Sequence, residues 1–220
     1  SGVLRVLGSP RYDRVKNIHV ELNQNNNKDS FNRPFRLVAG SMWPDDDRII
    51  LETLIELSLK IDKFSFTWVP HEPDLKYIKQ INSKLFSSGL NPELLSNVDT
   101  RINSKCIIID KVGSLARHYW DAKFAYIGGG FSTGVHNVME PAIAGLPTIF
   151  GPKYHNSHTA EELIKSGGGF NINTRKEFLN VMEKFIQNEN FYSSSSSASS
   201  EVIYSNLGSS SRVVRGILSD

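Results

Sequence analysis

The sequence predicts a doubly wound α/β domain, a Rossmann-like parallel sheet with helices on both faces. Two observations carry this. From Phe35 onward, short apolar and often β-branched runs alternate with longer segments of helical periodicity. Polar or glycine-rich segments follow the apolar runs, which is where the loops of such a sheet gather at the carboxyl ends of its strands. At 220 residues, 39% hydrophobic and 22% charged, the chain is long enough for one sizeable core.

Residues 1–34 end in "NQNNNKDSFNRP", which has no useful hydrophobic period and reads as a linker or surface loop. The domain is taken to begin at residue 35. Strands are predicted at 36–39, 64–69, 106–109, 124–127 and 148–150, with a weaker one at 169–172. Helices fit 46–60, 74–87, 115–120, 136–144, 160–165 and 176–187. The run "SSSSSASS" at 193–200 is low in complexity, and serine is a poor residue for a helix interior. It reads as a flexible tail, or as a helix carrying serine in place of other side chains, because the flanking apolar spacing suits helices. Residues 190–220 are therefore expected to form a C-terminal helical tail whose order the sequence leaves open.

A net charge of +2 with scattered basic residues gives no footprint for nucleic acid. The single cysteine, Cys106, lies in an apolar run and reads as a buried core thiol, which fits a reducing compartment. No apolar stretch approaches the roughly 20 residues that span a bilayer, and no secretory core is evident, so the chain is expected to be soluble.

The richest stretch is "GGGFSTGVHNVMEPAIAGLPTIFGP" at 128–152. Gly128, Gly129 and Gly130 end a predicted strand, where bare backbone lets N–H groups approach an anion and a following helix N-terminus adds positive potential. Tight strand-to-helix packing explains the same glycines equally well. Glu140 stands beside Pro141 inside an apolar helical segment, where the proline interrupts the hydrogen-bond ladder and a carboxylate needs partners such as a sugar diol. A surface glutamate at a kink is the plainer alternative. His136 and Asn137 precede Glu140 by one helical turn and are placed on its face.

After the first strand, Gly40 permits close approach and Ser41 offers a hydroxyl, while Asp45, Asp46 and Asp47 are read as a solvated face that favours a helix start. His71 and Glu72 after the second strand do not amount to a metal site, and none is expected. Neither a triphosphate-binding G-x-x-x-x-G-K-[ST] loop nor a G-x-S-x-G nucleophile elbow is present. The pattern belongs to a site that binds a polar, anionic ligand without attacking it.

Taken together, "GSMWPDD", "WVPHEPD", "DKVGSLARHYWDAKFAYIGGGF", "HNVMEPAIAGLPTIFGP" and "ELIKSGGGF" resemble the C-terminal half of the 3-deoxy-D-manno-octulosonic acid (Kdo) transferases. These are inverting glycosyltransferases of the GT-B fold that act in lipopolysaccharide biosynthesis. The resemblance covers about residues 35–174, and "GSPRYDRV" is similar to the segment that ends the family's N-terminal domain. It implies CMP-Kdo as donor substrate with no cofactor. It also implies a lipid A precursor as acceptor, held by a separate N-terminal domain at the cytoplasmic face of the inner membrane of Gram-negative bacteria. That domain supplies the family's general base, so the present chain is expected to bind donor and to transfer little alone.

By the same resemblance, Glu140 and Asn137 bind donor hydroxyls, with Glu140 on the ribose diol. Ser41 and the amides of Gly128, Gly129 and Gly130 hold the phosphate, the backbone around Val112 and Gly113 lies against the cytosine, and Asn156 sits near the sugar. Two blocks depart from the family. "PHEPD" replaces an Arg-His-Pro block, leaving His71 as the candidate for the arginine's contact, and "DKVGSL" matches the usual Asp-Thr-Met-Gly-Glu-Leu at Gly113 and Leu115 but changes the side chains at Lys111 and Ser114. A GT-B enzyme using a UDP-sugar and a non-catalytic nucleotide-sugar-binding module are the alternatives.

Overall fold

The computed structural model describes residues 9–23, 33–97 and 104–218. Seven parallel strands form one sheet in the order β3-β4-β2-β1-β5-β6-β7. The strands are β1 (Arg36–Met42), β2 (Ser65–Pro70), β3 (Glu93–Leu94), β4 (Cys106–Ile108), β5 (Phe124–Ile127), β6 (Thr148–Phe150) and β7 (Gly169–Asn171). The strand at Glu93–Leu94 was not predicted, since two residues carry no readable alternation.

The apolar runs lack polar alternation because both sheet faces are covered. Leu37, Ala39, Phe66, Trp68, Phe124 and Tyr126 face one core, beneath α2 (Pro44–Lys60), α3 (Leu75–Ser87) and α7 (Arg175–Gln187). Val38, Ile107, Ala125 and Ile127 face the other, beneath α1 (Arg11–Asn23), α5 (Met139–Ile143) and α6 (His158–Ser166). Cys106 is a free, fully buried thiol, and burial pushes its pKa up. Among the described residues no helix is long and apolar enough to cross a membrane.

Three expectations change. The segment preceding residue 35 contains α1, whose buried Tyr12 bonds Thr159 at 3.0 Å and donates to Glu162 at 2.8 Å, docking the helix on α6. The asparagine-rich positions 24–32 lie outside the described residues. The serine run is no loose tail either: α8 (Glu189–Ser205) is continuous helix, followed by α9 (Ser209–Leu218). Ser196 and Ser199 are buried and donate to the carbonyls of Gly145 at 2.5 Å and Leu146 at 2.7 Å. Small side chains let α8 press onto the backbone before β6, where the Ser196 hydroxyl satisfies the Gly145 carbonyl and the Ser199 hydroxyl shares the Leu146 carbonyl with the Thr148 hydroxyl, which donates to it at 3.0 Å.

The third change concerns 136–144, which was expected to be one helix. Helix α5 spans Met139–Ile143 only, and His136 and Asn137 lie in the loop before it. Asn137 Oδ1 accepts from the Met139 N–H at 3.1 Å, a turn that competes with helix. Pro141 therefore sits in the first turn, where its missing N–H costs nothing, and interrupts no ladder.

Candidate functional site

The chain runs from β1 outward through β2 and β4, then returns to place β5 on the other side of β1. The carboxyl ends of β1 and β5 thus flank the crevice where open α/β sheets bind ligands. Gly40 and Ile127 are register partners there, and the Gly128 N–H donates to the Gly40 carbonyl at 2.9 Å. Ser41 follows with φ 55°, a left-handed conformation that is uncommon outside glycine.

Bare backbone is needed here mainly for the protein's own packing. A Cβ on Gly128 would strike the Ser41 carbonyl, one on Gly130 would meet Gly151, and one on Gly40 would meet the Tyr119 hydroxyl. The Gly129 N–H is also engaged, donating to Asp46 Oδ2 at 2.9 Å. Two of the three expected phosphate-binding amides, those of Gly128 and Gly129, therefore already have partners inside the protein. No helix begins at the triplet, because α5 starts nine residues beyond Gly130.

Asp46 corrects the sequence reading most sharply. Far from a solvated cap, its side chain is fully buried and accepts from Tyr126 Oη at 2.8 Å, Gly129 N at 2.9 Å and Trp43 N at 3.2 Å. It ties the start of α2 to β5 and to the glycine loop. Burial raises its pKa, and the three donors work against that rise. Asp47 accepts from the Tyr77 hydroxyl at 2.6 Å, and burial pushes its carboxyl up to about 6. Only Asp45 of the three is exposed, as expected.

Around the crevice the expected residues fall into two groups. Ser41, His71, Val112 and Gly113 line a recess of about 130 Å³, together with Lys111 and Leu115. His136, Asn137 and Asn156 line a larger polar cleft of about 580 Å³ that reaches to Tyr12 and His158. Asn156 is held by donating to the Val135 carbonyl at 3.0 Å, and a Cβ on Gly134 would touch its amide at 2.9 Å. Glu140 is half-buried, which raises its pKa, while the Asn137 amide donates to Oε1 at 3.0 Å and lowers it. The pairing of Asn137 with Glu140 holds although the helix that was to carry both does not.

A three-ring stack joins the groups. His71 stacks on Trp43 with ring centroids 4.7 Å apart and on His136 at 4.3 Å. The Trp43 indole N–H donates to His136 Nε2 at 2.9 Å. Trp43 and Asp46 had no assigned ligand-site role in the sequence. The readable signal was their spacing of three before an apolar helix, which allows Asp46 to reach back to the Trp43 N–H as in a capping box.

No family model matches the sequence. The 3-deoxy-D-manno-octulosonic acid transferase of Chlamydophila psittaci is 31% identical over 167 residues, covering 70% of this chain and 37% of that protein. The transferase of Aquifex aeolicus is 27% identical over 152 residues, covering 68% of this chain and 41% of that protein. Over these stretches the chain is a homologue of the Kdo transferases. It spans well under half the length of those relatives. Among solved structures, the C-terminal CMP-Kdo binding domain of WaaA from Acinetobacter baumannii superposes with a TM-score of 0.69 at 18% identity. That alignment covers 87% of this chain and 98% of that one, so the two share a fold. The resemblance read from the motifs is thus supported by sequence and by fold.

Proposed function

We propose that this chain is the donor-binding domain of a Kdo transferase, and that it holds CMP-Kdo while Kdo passes to a lipid A precursor. The observation that carries the reading is the crevice at β1 and β5, where a half-buried carboxylate held by an amide, Glu140 with Asn137, accompanies Ser41 and the recess at Val112 and Gly113. Homology to the Kdo transferases selects CMP-Kdo among the anionic ligands such a site could take.

In this reading the cytosine enters the 130 Å³ recess, the phosphate meets Ser41 and, of the glycine triplet, the Gly130 amide, and Asn156 lies beside the sugar. Asn137 occupies Glu140 Oε1, and the remaining lone pairs of the carboxylate accept from the two ribose hydroxyls. A carboxylate suits this task because it accepts only, and a diol donates twice. An acceptor hydroxyl attacks the anomeric carbon, the bond to the phosphate oxygen breaks, and configuration inverts. Negative charge then grows on one phosphate, and fixed donors around it stabilise the departing CMP.

The reading assigns the base that activates the acceptor hydroxyl to a separate acceptor domain at the inner membrane, and it requires no cofactor beyond the donor. Calorimetric titration with CMP tests it. The wild-type chain is expected to bind, and Glu140→Gln to bind at least about tenfold more weakly, the worth of charge-assisted hydrogen bonds. Equal affinity in the two proteins would remove Glu140 from the site, and robust transferase activity of this chain alone would contradict the assignment of the base.

A further inference from the structure

The stack of Trp43, His71 and His136 has a consequence for the chemical form of His136. An indole N–H can only donate, so the 2.9 Å contact from Trp43 Nε1 requires His136 Nε2 to carry a lone pair. In a neutral imidazole the proton must then reside on Nδ1. The geometry is held from several sides. The Trp43 backbone is extended ahead of Pro44, with φ −115° and ψ 158°, and its N–H is fixed by the buried Asp46. The His136 N–H donates to the Gly128 carbonyl at 3.2 Å, and its ring lies 4.3 Å from that of His71. Through this arrangement His136 lines the 580 Å³ cleft beside Asn137 and Asn156.

We propose that Trp43 is a positioning residue of the donor site, which locks His136 as the neutral Nδ1–H tautomer so that His136 offers the ligand a hydrogen-bond donor. The inference rests on the donor-site reading. It adds a polarity to the cleft wall: an oxygen acceptor of the donor molecule is matched there, and a donor group is refused. The phosphate and hydroxyl oxygens of CMP meet that requirement. Trp43 does this without touching the ligand itself, acting through His136.

The test is spectroscopic and needs no variant to begin. With ¹⁵N-labelled histidine at a pH where the imidazoles are neutral, long-range proton–nitrogen correlations distinguish the two tautomers. His136 is expected in the Nδ1–H form, whereas neutral histidine in water prefers Nε2–H. Trp43→Phe keeps a ring for the stack and removes the donor. It is expected to return His136 towards Nε2–H and to weaken CMP binding on the order of 3- to 10-fold, the worth of one neutral hydrogen bond. A wild-type His136 in the Nε2–H form overturns the proposal, as does a Trp43→Phe variant whose tautomer or CMP affinity is unchanged. If wild-type protein fails to bind CMP at all, the donor-site reading falls first and the proposal falls with it. CMP binding without the tautomer lock refutes the proposal alone.

Discussion

Replacing Asp46 with alanine removes the acceptor of three hydrogen bonds, from Trp43, Gly129 and Tyr126. Bonds to a charged acceptor contribute about 1.5–3 kcal/mol each, so roughly 5–9 kcal/mol of interaction is lost. Against this stands the cost of keeping a carboxylate fully out of water, several kcal/mol. That cost shows in the upward shift of its pKa. The variant also leaves three donors facing an apolar methyl, so the expected net loss is about 3–5 kcal/mol, as when one partner leaves a buried charged network. Urea unfolding followed by circular dichroism reads this as a lower midpoint at an unchanged slope. Asp45→Ala is the control, because Asp45 is exposed at the same helix end and is worth about 0.3–1 kcal/mol through the helix dipole. If the two variants lost the same small amount, helix-end charge would be the whole role of these acids, and the anchoring role of Asp46 would be refuted.

Further outcomes follow from single groups. Burial holds the Asp47 proton up to about 6, so the folded chain binds it more tightly than the unfolded one. Its contribution to stability is therefore full below about pH 4 and is lost as pH rises through 6, a slope that Asp47→Asn should flatten. A carboxyl ¹³C titration with a midpoint near 4 would contradict this. In α8, Ser199→Ala is expected to cost about 0.5–1.5 kcal/mol for the lost buried hydrogen bond to the Leu146 carbonyl, which still accepts from Thr148, whereas exposed Ser197→Ala should be neutral or slightly stabilising. Equal thermal shifts in the two variants would mean that α8 does not pack as described.

The sheet was legible because its strands are buried on both faces and so appear as continuous apolar runs, such as "FAYI" at Phe124–Ile127. The placing of Ser41, Gly113, Asn137 and Glu140 around one edge follows from that alternation alone. What escaped the sequence depends on contacts distant in the chain. Serine is a poor helix former locally, yet α8 is held by carbonyls about 50 residues away. The strand at Glu93–Leu94 exists only because β4 offers it an edge. Asp46 looks like its neighbours until Tyr126, 80 residues later, supplies a hydroxyl. The extent of α5 was misjudged because apolar spacing continued through His136 while the Asn137 side chain turned the backbone out of helix.

Whether the crevice between β1 and β5 is a CMP-sugar site is decided by a crystal structure of the chain with CMP. Ribose hydroxyls are expected on Glu140, phosphate oxygens at Ser41, and cytosine against Val112 and Gly113. A nucleotide seated instead in the cavity of about 320 Å³ lined by Trp43, Tyr77 and Gln80, away from Glu140 and Gly113, would contradict that reading.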